Sequence, residues 1–118
     1  MQALTSGDLR IDVTESGGAL ICTWTGKSND RTPQTVLGPW FESLLAEAGQ
    51  SRVEMHFEKL EHFNSSTITA LIRFIQSARG KAVRIAFVYD PNLKWQRLSF
   101  DALRVFEKGD KAFELVTV

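Results

Sequence analysis

Hydrophobic and polar residues alternate along the first part of the chain. Leu9, Ile11 and Val13 are separated by polar side chains, which is the pattern of a strand buried on one face. The segment Ala19–Thr25 is rich in Ile, Thr and Trp and is also typical of a strand. The short segment Ser16–Gly18, with its two glycines, lies between them. Two strand patterns joined by such a turn predict a β-hairpin.

The next segment, after a polar loop at residues 26–31, has apolar residues at helical spacing. Thr32 and Pro33 are typical of an N-cap and a first helical residue, and Gly49 is expected to end the helix. Pro39 lacks an N–H donor, so the helix is either kinked there or begins at Pro39. The predicted buried face consists of Leu37, Trp40, Phe41, Leu44, Leu45 and Ala48.

A third strand pattern follows, in which Val53, Met55 and Phe57 alternate with charged residues or histidine. A strand covered on both faces would be apolar throughout, so we expect helices on only one face of the sheet.

A second amphipathic helix is predicted from Ser65 onwards, with Gly80 as its C-cap and a strand from Ala82 to Tyr89. Its outward face is predicted to hold Arg73, Gln76 and Arg79, and its inward face Ile68, Leu71, Ile72 and Ile75.

The last part of the chain allows two interpretations. In the favoured one, Asp90 and Pro91 open a third helix that runs to Val105 or Phe106, residues 108–110 stop it, and Ala112–Val118 is a closing strand. In the other, the helix ends near Phe100, residues 103–106 form the strand, and a short helix follows. The first is favoured because one helical face then holds Trp95, Leu98, Ala102 and Phe106.

The predicted order of elements is therefore β-β-α-β-α-β-α-β. Strand–helix–strand units require parallel pairing with right-handed crossovers. We expect a single α/β domain over residues 1–118, with a mixed sheet of about five strands. An N-terminal β-hairpin is followed by βαβαβ units whose helices lie mainly on one face.

Composition narrows the function classes. Of the 118 residues, 14 are basic and 14 acidic, so nothing favours a nucleic-acid partner. The single cysteine, Cys22, cannot form an internal disulfide, and we expect it to be a buried core residue. No signal peptide or membrane-length apolar run is recognisable, so we expect a cytoplasmic protein without membrane insertion.

Motifs typical of enzymes are missing from the sequence. No phosphate-binding glycine loop, C-x-x-C or H-E-x-x-H pattern occurs. His56 is expected to face outward on its strand and His62 to lie in a loop, so both are interpreted as surface histidines. A nucleophile–base pair of Ser65 and His62 would lack a G-x-S-x-G elbow and an orienting carboxylate. We therefore predict no catalytic residue, no metal site and no cofactor.

The turn Asn64-Ser65-Ser66 at the start of the second predicted helix is the candidate site. Its simplest interpretation is a capping turn, in which Asn or Ser accepts hydrogen bonds from the first helical N–H groups. The same position also suits a phosphate group, because unpaired N–H groups and the positive end of the helix dipole meet there. Phosphorylation of a hydroxyl in this turn is therefore the competing hypothesis.

The stretch VEMHF, followed by EKLEHFNSSTITALIRFIQSARGKAVRIAFV, resembles the STAS domain of bacterial anti-sigma factor antagonists. In that family the central strand ends in an apolar-Asp-Ser-Ser-Gly-Leu turn that opens a helix of the same length. Phe63–Ile68 occupies this turn here, with Asn64 at the Asp position and Thr67 at the Gly position. Upstream, Trp24–Asp30 is similar to the family's apolar-Thr-Gly-x-x-Asp segment. The resemblance covers roughly residues 9–106.

This resemblance implies a binding module and not an enzyme. Such domains bind a serine kinase of the GHKL ATPase fold, an anti-sigma factor or its relative, while they are unphosphorylated. The kinase phosphorylates the first serine of the turn, and a PP2C-type phosphatase reverses the reaction. Ser65 is thereby implied as the acceptor, with Ser66 ranked second. The partner-binding residues implied are Ser28, Asn29, Asp30, Asn64, Ser66 and Thr67.

Two other functions stay open on the sequence. One is a constitutive scaffold or assembly subunit, in which the Asn-Ser-Ser turn only caps a helix. The other is a domain that binds a small ligand or nucleotide.

Overall fold

The computed structural model describes residues 1–118 and contains seven strands, three α-helices and one 3-10 helix. In chain order these elements are β1 (Leu4–Ser6), β2 (Leu9–Ser16), β3 (Ala19–Ser28), α1 (Gln34–Ala48), β4 (Arg52–His56), β5 (Leu60–Phe63), α2 (Ser65–Gly80), β6 (Ile85–Tyr89), α3 (Lys94–Asp101), the 3-10 helix (Ala102–Phe106) and β7 (Phe113–Thr117). None of the helices combines the length and the apolar character that crossing a membrane requires.

The strands form one mixed sheet in the order β1-β2-β3-β4-β6-β7, and β5 pairs with the end of β3. β1, β2 and β3 are antiparallel neighbours, so the predicted hairpin is confirmed. The remaining pairs are parallel. The sheet has two more strands than expected, because β1 and β5 have only three and four residues and are too short to show a periodic pattern.

The core lies between the helices and one face of the sheet. Trp24 on β3 is fully buried beside Met55 on β4, and its indole N–H donates to the Met55 sulfur at 3.3 Å. Cys22 lies in the same layer, and its burial raises the pKa of its thiol to about 12. Glu54 and His56 point to the opposite, partly exposed face. The expectation of helices on one face is thus confirmed.

Helix α1 passes through Pro39 without a break, so the alternative start at Pro39 is wrong. Pro33 already has helical angles, and its carbonyl accepts the N–H of Leu37 at 2.7 Å. Thr32 was predicted to be the N-cap, but its side chain forms no capping hydrogen bond. Its amide instead donates to the Asp30 carboxylate at 3.0 Å, which forms a turn ahead of the helix.

Helix α2 ends differently from the prediction. Gly80 is its last residue and not its cap, and the chain reverses at Ala82, whose φ is +55°. The amide of Val83 then bonds the carbonyl of Ala78 at 2.9 Å, so the following strand begins at Ile85.

The inward face of α2 is also rotated from the predicted one. Ile68 and Ile72 are only half-buried, because the helix packs on α1 as well as on the sheet, with the rings of Phe74 and Phe41 4.6 Å apart. The buried residues are Thr67, Ala70, Leu71, Phe74, Ile75 and Ala78.

The last α-helix is shorter than in the favoured interpretation and ends at Asp101, close to the end near Phe100 in the other interpretation. Asp90 forms a turn by accepting the amide of Asn92 at 2.9 Å, and α3 begins only at Lys94. The predicted apolar face is only partly confirmed, because Trp95 and Phe106 pack partly buried against the core, whereas Leu98 is 58% exposed and Ala102 is exposed. The residues buried there are Gln96, Phe100 and Leu103. The closing strand is confirmed as β7, so the alternative strand at residues 103–106 is wrong.

Candidate functional site

The start of helix α2 lies beside the end of strand β3. β5 runs parallel to the last residues of β3, with Phe63 opposite Ser28, and the amide of Asn64 donates to the Ser28 carbonyl at 3.0 Å. The structure thereby brings together the two polar segments, residues 28–30 and 64–67, that are distant in sequence.

Gly26 determines how β3 reaches this corner. Its φ is +82°, and a Cβ atom there would collide with the backbone oxygen of Asp8, so only glycine fits. The strand register shifts between Gly26 and Lys27. After this irregularity the side chain of Ser28 is buried, while Lys27 is exposed.

Asn64 is the N-cap of α2, as the capping interpretation requires. Its backbone is extended, with φ −91° and ψ 175°, and its side-chain oxygen accepts the amide of Thr67 at 2.9 Å. Its carbonyl also accepts the amide of Ile68 at 3.2 Å. A side-chain cap of this kind stabilises a helix by about 1 kcal/mol.

Ser65 is the first residue of α2 and is exposed, whereas Ser66 is partly buried. The amides of both serines precede Thr67, the first residue whose amide bonds back to Asn64. Two backbone donors and the positive end of the helix dipole are therefore available beside the Ser65 hydroxyl. This geometry suits a phosphate group on Ser65.

Of the residues implied as partner contacts, Asn29 and Asp30 are exposed in the loop after β3. Ser28 and Thr67 are not, since they are 3% and 0% exposed and their hydroxyl oxygens lie 2.7 Å apart. These two residues lie beneath the surface in this structure, where their hydroxyls join the end of β3 to the start of α2. Thr67 is buried because it falls on the core-facing side of α2.

A pocket of about 220 Å³ opens beside the same loop. Its lining includes the buried residues Leu9, Pro33 and Leu37 and the exposed residues Lys27 and Asp30. Ligand pockets for drug-sized molecules usually measure about 300–1,000 Å³. This pocket is smaller than that range.

The two histidines do not meet at the candidate site. His62 lies on strand β5 and not in a loop, and its ring centroid is 6.2 Å from that of Trp95. His56 lies on the partly exposed sheet face between Glu54 and Glu58, at 2.9 and 3.3 Å. No group of three or more His, Cys, Asp or Glu side chains is arranged to hold a metal ion.

The sequence pattern did not identify Gln96 as a buried residue, because a polar side chain does not fit an apolar helical face. It is fully buried, and its amide nitrogen donates to the carbonyls of Phe57 and Leu60 at 2.6 and 3.3 Å. Its oxygen accepts the amide of Asp90 at 2.8 Å. Gln96 therefore joins α3 to the segment that leads into β5 and the candidate site.

No protein-family model matches this chain, and no curated protein does. Three of the solved structures that share its fold illustrate the likeness. A crystal structure of an anti-sigma factor antagonist from Mycobacterium paratuberculosis superposes with a TM-score of 0.66 at 15% identity, over 96% of this chain and 90% of the other. A chain of the complex between diguanylate cyclase SiaD and its activator SiaC from Pseudomonas aeruginosa gives 0.64 at 20% identity, over 98% of both chains.

The third structure is an uncharacterised protein of the DUF3478 family from Shewanella loihica, which has a SpoIIAA-like fold. It gives a TM-score of 0.58 at 16% identity, over 98% of this chain and 90% of the other. At identities of this level the likeness establishes the fold. The STAS-like fold expected from the sequence is therefore confirmed.

Proposed function

We propose that this protein is a protein-binding module of a bacterial partner-switching system, controlled by phosphorylation of Ser65. The observation that carries the proposal is the exposed Ser65 hydroxyl at the first turn of α2, next to the exposed loop residues Asn29 and Asp30. The shared fold with an anti-sigma factor antagonist supports it. The SiaD–SiaC complex supports it further, because SiaC is a protein of this fold that binds a protein partner.

The switch follows from elementary electrostatics. A phosphate on Ser65 adds about −1.5 to −2 charges at neutral pH. It can accept hydrogen bonds from the free amides of Ser65 and Ser66, so it is held in place. The added charge then lies in the middle of the surface that a partner must cover. We expect the partner to bind the unphosphorylated protein and to be released by phosphorylation.

The partners follow from the resemblance to STAS domains. We propose a serine kinase of the GHKL fold as the protein that binds and modifies Ser65, and a PP2C-type phosphatase as the enzyme that restores it. The module itself is proposed to catalyse no reaction and to act in the cytoplasm.

The proposal is tested by capturing partners from the native cell with Ser65→Ala and Ser65→Asp variants. Ser65→Ala is expected to retain a GHKL-fold kinase, identified by mass spectrometry. Ser65→Asp adds a negative charge and is expected to bind the same kinase at least about tenfold more weakly, a loss of about 1.4 kcal/mol. Gln76→Asp is the matched control, because Gln76 is exposed on α2 roughly 16 Å farther along the helix.

Two outcomes decide the matter. Kinase binding that is lost in Ser65→Asp and kept in Gln76→Asp supports the switch. Equal binding by Ser65→Ala and Ser65→Asp contradicts it and supports a constitutive scaffold instead.

A further inference from the structure

A continuous chain of hydrogen bonds lies directly beneath the proposed phosphorylation site. The hydroxyls of Ser28 and Thr67 are 2.7 Å apart, and the Thr67 hydroxyl is 2.8 Å from the side-chain oxygen of Asn64. The side-chain nitrogen of Asn64 donates to the Asp30 carbonyl at 2.6 Å. The hydrogen bonds thus run from Ser28 at the end of β3, through the start of α2, to Asp30 in the loop that follows β3.

Counting donors fixes the direction of every bond. The Asp30 carbonyl only accepts and the Thr67 amide only donates, so the Asn64 amide group has a single orientation that satisfies both. Its oxygen then accepts the Thr67 hydroxyl proton, which leaves Thr67 as the acceptor for Ser28. The Ser28 carbonyl is a second and more distant acceptor for the Thr67 hydroxyl, at 3.4 Å.

We infer that Asn64 and Thr67 are a matched pair of positioning residues that fix the Asn29–Asp30 loop against the start of α2. Thr67 supplies a hydroxyl that both accepts and donates, and Asn64 supplies the donor that holds the loop. The loop and Ser65 then form one preorganised surface. That this surface meets a partner rests on the proposed function, whereas the coupling itself does not.

The pair differs at both positions from the STAS pattern that the chain resembles. An Asp at position 64 would place a carboxylate oxygen where the amide nitrogen now lies, 2.6 Å from the Asp30 carbonyl. A glycine at position 67 would leave the buried Ser28 hydroxyl without a partner. Changing either residue alone therefore breaks one bond of the chain.

Amide hydrogen exchange on the full chain, without any partner, tests the inference. Thr67→Val keeps the shape of the side chain but removes the hydroxyl, and Thr67→Ser keeps the hydroxyl. In Thr67→Val we expect the amides of Asn64 and Thr32 to exchange roughly tenfold faster, because losing a buried hydrogen bond is worth about that factor. In Thr67→Ser these rates should stay within about twofold of the original.

The amide of Phe57, which is bonded to Val88 in the central sheet, is the control. Its exchange rate reports a general loss of stability and is not expected to rise together with those of Asn64 and Thr32. If Thr67→Val does not fold, Ser28→Ala removes the first donor of the same chain and should accelerate the same amides. Unchanged rates at Asn64 and Thr32 in Thr67→Val or Ser28→Ala would overturn the inference. Since no partner or phosphate is present, this result is independent of the Ser65 capture experiment.

Discussion

Ser65 and Thr67 are two positions apart and lie in opposite environments. An α-helix turns by about 100° per residue, so the two side chains point to nearly opposite sides of α2. Ser65 is exposed, whereas Thr67 is 0% exposed and bonded to Ser28. Of the hydroxyls in this turn, Ser65 is therefore the most accessible to a modifying enzyme, and Ser66, which is partly buried, ranks second.

The residue at position 64 gives a direct prediction about stability. Asn64→Asp removes the donor to the Asp30 carbonyl and places two oxygens against each other, although Asp is the residue expected from the STAS pattern. We expect a loss of about 1–2 kcal/mol in the free energy of unfolding. Asn29→Asp makes the same chemical change at an exposed position and should stay within about 0.5 kcal/mol. Urea denaturation measures both, and equal stability of the two variants would contradict the assigned bonds.

Single residues at this corner were only partly predictable from the sequence. The capping role of Asn64 follows from local pattern, because the cap and the amide it accepts are three positions apart. The contact between Ser28 and Thr67 joins positions 39 apart, and a threonine in the first helical turn can face either solvent or core. Only the packing of α2 decides which.

At the scale of elements, α3 is attached to the sheet through a polar side chain. Gln96 is fully buried and bonds the backbone at Phe57, Leu60 and Asp90. These partners include the segment before β5, so Gln96 supports the strand that leads to Asn64. The sequence pattern predicted that Leu98 faces the core, because such patterns assume that apolar residues are buried and polar residues are exposed.

Replacing Gln96 should therefore be costly. In Gln96→Ala the backbone groups of three residues lose a buried partner, and we expect a loss of at least about 2 kcal/mol in the free energy of unfolding. Gln76→Ala removes an exposed glutamine from α2 and should change stability by less than about 0.5 kcal/mol. Thermal or urea unfolding measures the stability of both variants. A similar loss of stability in the two would contradict the role of Gln96 in attaching α3 to the sheet.

Helices α1 and α2 are connected by a surface cluster around Glu42. Its carboxylate accepts a hydrogen bond from Lys81 at 2.8 Å and from Ser77 at 3.0 Å. These two bonds lower the pKa of Glu42 below its ordinary value of 4.5, and the bond from Lys81 has the larger effect.

This lowered pKa gives a pH dependence of known sign. A carboxyl whose folded-state pKa is depressed stabilises the protein fully above its ordinary value, and this contribution is lost as the pH falls through the folded value. Glu42→Gln should thus reduce stability at pH 7 by no more than about 1 kcal/mol, because the pair is exposed. The difference from the original protein should shrink once the pH falls below 4.5. Glu61→Gln, at an exposed position on β5, is the control for the substitution itself. A gap for Glu42→Gln that stays constant with pH would contradict the assignment.

At the scale of the whole molecule, the sheet topology explains why the two polar segments of the candidate site, residues 28–30 and 64–67, lie side by side. β3 and β5 are parallel neighbours, so the loop after Ser28 and the turn after Phe63 emerge at the same edge of the sheet. The carboxyl ends of parallel strands are the usual place for binding sites in α/β proteins. Strand–helix patterns in the sequence predicted this fold, because long periodic segments carry a strong signal. They did not predict β5, whose four residues are recognisable only through their pairing with β3.

The central claim, that Ser65 is a regulatory phosphorylation site, is tested most directly on protein purified from its native cell under several growth conditions. Trypsin releases residues 60–73 as one peptide, between Lys59 and Arg73, and fragmentation distinguishes Ser65 from Ser66, Thr67 and Thr69. The account predicts a phosphate on Ser65 whose occupancy changes with conditions. A peptide without phosphate in every condition, or with phosphate only at another residue, would contradict it.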